Sequence, residues 1–109
     1  MLIVTTSSID GKTIKEYRGI VFGEVVSGMN VVHDFTASIT NFTGGRAKEY
    51  EGEISDARAD AISEMMERAK KVGANALIGV KVDVETISTG NDRASMIIVT
   101  ATGTAVVVE

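Results

Sequence analysis

Apolar positions in the second half of the chain first recur every three or four residues, then every second residue. Ile54, Ala57, Ala61, Met65, Ala69 and Val72 form a seam with helical spacing, widened by Ile62 and Met66. The spacing predicts a long helix over about Ala47–Val72. Glu49, Glu51, Glu53 and Asp56 crowd its first half, and Arg68, Lys70 and Lys71 close its last turn, a polarity that suits the helix dipole. Glu64 with Arg68, and Glu67 with Lys71, have the acid-first i,i+4 spacing of helix ion pairs. Gly73 suits the left-handed residue just past a helix end. Gly52 costs about 1 kcal/mol inside a helix, so distorted or delayed first turns are expected.

Beyond Gly73 the period becomes two. Ala76, Ile78, Val80, Val82 and Val84 alternate with Leu77, Gly79, Lys81, Asp83 and Glu85, which predicts a strand with the first set on one face. Polar residues Ser88 to Arg93 read as the loop of a hairpin, with Ala94–Val108 as its second strand. In that strand Ile97, Val99, Ala101, Ala105 and Val107 face one way, and Met96, Ile98, Val106 and Val108 the other.

The first half is less regular. Leu2–Thr5 reads as a short strand and Ser7–Lys12, with its Asp10-Gly11 pair, as a turn. Thr13–Val26 is a long strand rich in β-branched residues, in which Gly19 and Gly23 signal a bulge or a close backbone approach. Asn30 suits a helix N-cap, and Val32, Phe35, Ile39 and Phe42 predict a short helix over Val31–Asn41. The order strand, strand, short helix, long helix, strand, strand predicts one α+β domain spanning residues 1–109. Its mostly antiparallel twisted sheet of three to four strands carries both helices on one face.

Helices on one face leave the other face wet. Yet Ile20–Val26 and the last strand are apolar on both faces, so a homo-oligomer is expected. A net charge of −4 argues against nucleic acid as the partner. No apolar run approaches the roughly 20 residues of a membrane span, and Met1–Val4 is too short for a signal peptide. The expectation is a soluble cytoplasmic protein with no membrane partner. The chain has no Cys, which excludes disulfides, thiolate metal sites and cysteine nucleophiles.

Candidate chemistry is sparse. Gly44-Gly45-Arg46 precedes the long helix, where converging N–H groups, the helix dipole and a guanidinium suit a phosphate or carboxylate. Asn30 and Asp34 are grouped with that ligand site. The bland alternative is a tight turn with Arg46 paired to an acid of a neighbouring copy. For a divalent metal ion the oxygen and nitrogen ligands are His33, Glu64, Asp83 and Glu85, brought together from several copies; the bland alternative is a solvated acidic surface. Met65 and Met66 read as core before they read as ligands. Tyr17 and Tyr50 can stack a flat ligand between copies or serve as ordinary rim packing. Catalysis would need a Ser or Thr activated by His33. Ser38 is off its helical face and no nucleophile-elbow motif occurs, so the chain reads as a non-enzyme. A scaffold whose assembly is its whole function is the alternative to ligand binding.

Many short segments in order resemble one known family. They are Thr5-Thr6, Gly11-Lys12-Thr13-Ile14, Glu16-Tyr17, Gly23-Glu24, Gly28-Met29-Asn30, Asp34-Phe35, Gly44-Gly45-Arg46, Tyr50-Glu51, Ala57-Arg58, Gly73-Ala74-Asn75-Ala76, Gly79-Val80, Asp83, Glu85 and Gly103-Thr104-Ala105. The chain resembles the YbjQ family of small bacterial and archaeal proteins, also called UPF0145 or DUF74. The resemblance implies a dodecin-like α+β subunit of a ring, a pentamer or paired pentamers. The family has no established function, and its label names heavy-metal binding. His33 stands where relatives carry a basic residue such as Arg, which argues against a family-wide ligand role for it.

Overall fold

The computed structural model describes residues 1–27, 46–88 and 95–109. They form strands β1 (Leu2–Ile3) and β2 (Ile14–Ser27), helix α1 (Arg46–Lys71), and strands β3 (Ala76–Ser88) and β4 (Ser95–Val108). This is an α+β arrangement with one helix and one sheet among the described residues. The short helix expected over Val31–Asn41 lies outside them, as does most of the loop expected over Ser88–Arg93.

The sheet is mixed, in the order β1-β3-β4-β2. β3 pairs with β4, and β4 with β2, in antiparallel ladders. β1 joins β3 in parallel, Leu2 opposite Ala76 and Ile3 opposite Leu77. Beyond it, Val4 accepts from the Val80 N–H at 3.1 Å and Thr6 from the Gly79 N–H at 2.8 Å. The chain then turns at Asp10-Gly11, where the Lys12 N–H donates to Ile9 at 3.1 Å and Gly11 has φ +78°. That positive φ at the second central residue alone matches a type II turn.

α1 runs unbroken through Gly52. Its seam is sealed where the spacing placed it: Ala57, Ala61, Met65 and Ala69 are buried, with Ile54, Ile62 and Met66 half-buried beside them. Val72 is the exception. The helix stops at Lys71, so Val72 leaves the stripe and is exposed. Gly73 (φ +80°) closes the end. Its N–H donates to Lys70 and that of Ala74 to Ala69, both at 3.0 Å, the paired bonds of a Schellman motif. Glu64 pairs with Arg68 at 3.0 Å as its spacing suggests, whereas Glu67 meets Lys70 at 3.7 Å and not Lys71.

Small residues bring the layers close. A Cβ on Gly23 would lie 2.7 Å from the Met65 amide nitrogen and clash with the Ala61 carbonyl oxygen. Gly19 takes φ +102° at a bulge in β2. Both glycines thus do what a strand glycine signals.

Two expectations about faces change. β3 carries a bulge between Ile78 and Lys81, with Gly79 at φ +59°. One extra residue flips the alternation. Leu77, Val80 and Val82 therefore face α1, while Ala76 and Ile78 face away, so the five apolar residues from Ala76 to Val84 do not share one face. Second, the face away from α1 is not bare along its whole length. At one end Val4 and Ile9 pack with Ile14, Ala76, Ile78, Val106 and Val108 in a second small core. No helix among the described residues is long and apolar enough to cross a membrane.

Candidate functional site

The side chains with chemistry lie on the sheet face away from α1 and along its edges. Val21 and Val25 pack under α1, so strand alternation turns Ile20, Phe22, Glu24 and Val26 to the other face. Register then builds three rows across β3, β4 and β2. They are Lys81-Thr102-Phe22, Asp83-Thr100-Glu24 and Glu85-Ile98-Val26. Asp83, Glu85 and Glu24 are all exposed. Asp83 and Glu85 are neighbours two residues apart on β3. Glu24 lies two strands from Asp83, about 10 Å at ordinary strand spacing, too far to share an ion within one protomer.

Glu64 is elsewhere. It projects from α1 at the outer edge of β2, where Arg68 holds its carboxylate at 3.0 Å and the Glu24 N–H points to it at 3.5 Å. Arg68 also donates to the Phe22 carbonyl at 2.7 Å and stacks on the Phe22 ring, 4.8 Å from its centroid. The fold thus brings Asp83 and Glu85 together and leaves Glu64 apart from them. Arg46 is the first residue of α1, at the helix start that the anion reading requires. Gly44, Gly45, Asn30, Asp34 and His33 lie outside the described residues. Tyr17 is 70% exposed on β2.

Gly73-Ala74-Asn75-Ala76 has a complete structural account. Past the Schellman turn, the Asn75 side chain acts as an extra ladder rung. Its Nδ2 donates to the Val108 carbonyl at 2.9 Å and its Oδ1 accepts the Val108 N–H at 2.8 Å. The Asn75 backbone N–H donates to Val106 at 3.0 Å. The side chain holds the helix-to-strand turn against the end of β4.

A heavy-metal centre does not fit the described part of one protomer. Soft metals need thiolate, thioether or imidazole donors. The chain has no Cys, and Met65 is fully buried in the core. Among the described residues no three His, Asp or Glu side chains are grouped to hold an ion. The exposed donors are carboxylates and hydroxyls, which suit hard cations.

Two residues of this surface escaped the sequence reading. Glu24 joins the Asp83 row, and Arg68 reaches from the helix to an edge strand. Both placements come from pairings between distant segments, and no local pattern signals them.

The whole chain, residues 1–109, matches the family model described as "Putative heavy-metal-binding". The chain belongs to the YbjQ family. A UPF0145 protein of Acetivibrio thermocellus is 55% identical over 109 residues, all of both chains. One from Clostridium kluyveri is 52% identical over the same span, and one from Actinobacillus pleuropneumoniae serotype 3 is 54% identical over 108 residues, 99% of each chain. Among solved structures, a DUF74-family protein of unknown function from Pediococcus pentosaceus is similar in fold. It has a TM-score of 0.68 at 16% identity, covering 100% of this chain and 98% of that one. The YbjQ assignment thus rests on sequence along the full length, and the solved structure supports the fold alone.

Proposed function

We propose that the protein works in the cytoplasm as a ring of identical copies, and that it binds a small anion or a hard divalent cation at the boundary between them. One observation carries the assembly. On the β2 face turned away from α1, Ile20 is 79% exposed, Val26 55% and Phe22 46%. Three of the four outward positions from Ile20 to Val26 carry large apolar side chains, with the exposed Glu24 between Phe22 and Val26, and an exposed apolar patch of this kind marks an interface. The shape agrees. The radius of gyration of the described residues is 17.3 Å, against about 12 to 13 Å for a compact chain of this size. Ring closure would bury the patch and bring several Asp83 and Glu85 carboxylates together, giving the oxygen-rich donor set that one protomer lacks. The anion reading assigns its ligand to the start of α1 at Arg46, together with Gly44, Gly45, Asn30 and Asp34. The expected size is a pentamer or a pair of pentamers.

Native mass spectrometry of freshly purified protein tests this. A species of five or ten 11.5 kDa chains is expected. A lone chain at micromolar concentration would sink the assembly reading. Titration calorimetry with inorganic phosphate, magnesium and manganese tests the ligand, and absence of heat with all three would leave the ring without it.

A further inference from the structure

β2 is the edge strand of the described sheet, and two of its outward backbone groups, the Phe22 carbonyl and the Glu24 N–H, face helix side chains. The order β1-β3-β4-β2 leaves no described strand beyond β2 in the sheet. An edge strand presents unpaired N–H and C=O groups that can template another strand. Here the Phe22 carbonyl is taken by Arg68 at 2.7 Å, and the Glu24 N–H faces Glu64 at 3.5 Å. The two side chains hold each other at 3.0 Å, and Arg68 is fixed further by stacking on Phe22. Residues 22 and 24 have the same parity, so these are successive outward positions in the middle of the edge. The opposite edge differs. β1 and the residues that follow it, Val4 and Thr6, cover β3 only to Val80, and no described strand pairs with the outer side of Lys81–Ser88.

We propose that Glu64 and Arg68 form a clasp that bars a second copy of this chain from adding a strand to the β2 edge. Glu64 and Arg68 lie one turn apart on α1, in the stretch whose Ala61 and Met65 backbone packs against Gly23 of β2. The clasp limits where copies can join. If the open β3 edge of another copy added at an unguarded β2, the contact would be head-to-tail and would grow without end unless its rotation closed a ring, whereas β2 pairing with β2 would close a dimer. A guarded β2 keeps assembly to other surfaces. This deepens the assembly reading, because it concerns how that assembly is bounded.

Sedimentation velocity over a concentration series tests the clasp on wild type, Arg68→Ala, Glu64→Ala, Lys70→Ala and Arg68→Ala/Glu24→Pro. Wild-type size bears on the assembly reading, and only the difference between variant and wild type bears on the clasp. Arg68→Ala and Glu64→Ala should each add further copies at up to about tenfold lower concentration, the factor expected for about one freed backbone hydrogen bond. The gain should come with an infrared band of intermolecular strand pairing. Lys70→Ala removes a more exposed ion pair on the same helix, away from β2, and should match wild type. The Glu24 N–H points out of the sheet, so proline there removes no bond to β4 and blocks strand addition. The double variant should return to wild-type size. Arg68→Ala and Glu64→Ala that sediment like wild type would overturn the proposal. So would a double variant that still associates. If circular dichroism shows Arg68→Ala unfolded, Glu64→Ala alone decides.

Discussion

Replacing Gly23 by alanine adds one methyl group where the helix backbone lies directly against the sheet. The new Cβ would stand 2.7 Å from the Met65 amide nitrogen and overlap the Ala61 carbonyl oxygen. Both atoms belong to the helix backbone, so no rotamer change relieves the contact. α1 must lift, and Ala61, Met65 and Ala69, all fully buried, lose contact together. Overpacking a close-packed core costs about 1–3 kcal/mol, and the rigid neighbours put this site at the upper end, about 3 kcal/mol. That corresponds to a fall in Tm of about 13 °C for a domain of this size. Urea unfolding followed by far-ultraviolet circular dichroism, at fixed protomer concentration, measures it. Gly103→Ala is the comparison. Its Cβ would meet the Val80 Cγ2 at 3.0 Å and the Leu77 Cδ2 and Met65 Sδ at 3.5 Å, side-chain atoms that can shift, so about 1 kcal/mol is expected. Adding Ala61→Gly to Gly23→Ala should restore nothing, because the clash is with backbone. A Gly23→Ala variant within about 0.5 kcal/mol of wild type, or rescued by Ala61→Gly, would refute the reasoning.

Asn75→Ala removes both side-chain bonds to Val108 and should cost about 1–2 kcal/mol, with faster hydrogen exchange at the Val108 amide as the local signature. Unchanged exchange there would show that the rung is not holding the end of β4. Gly73→Ala forces a side chain into φ +80° with no atom nearer than 3.9 Å, so its cost of about 1–2 kcal/mol is conformational. Gly73→Asn, which tolerates the left-handed region better, should recover part of that in the same urea assay. Ile20→Asp puts a charge on the apolar face of β2 and should shift native mass spectra toward single chains while leaving the circular dichroism spectrum intact. An unchanged oligomer would remove that face from the interface.

The helix is the most legible part of the chain. Its seam, its basic last turn and its Gly73 stop are all local, set by residues within a turn of one another. Most of that reading matches the structure, and Val72 fails it because the seam was continued one residue past the stop. Gly11, Gly19 and Gly23 were also legible, since a glycine where a side chain would fit the pattern signals a backbone need. The faces of β3 were not. A period-two reading has no means of seeing the bulge at Gly79, which shifts every later side chain to the opposite face. The candidate site shows the same divide. Asp83 and Glu85 were found together because they are neighbours in sequence, whereas Glu24 beside their row and Arg68 on Phe22 were missed.

Among the described residues, sequence alone determined which segments become helix or strand, where the long helix ends, and that the chain belongs among aliphatic α+β folds of the YbjQ kind. Those properties follow from periodicity and backbone preference, which act over a few residues. Tertiary structure decided that β1 runs parallel to β3, that Ile9 seals a second small core, and that Arg68 and Glu64 occupy the edge of β2. Each depends on contacts between residues some 40 to 100 positions apart in the chain. Such contacts form only once sheet register and helix placement have been settled by burial of the shared core.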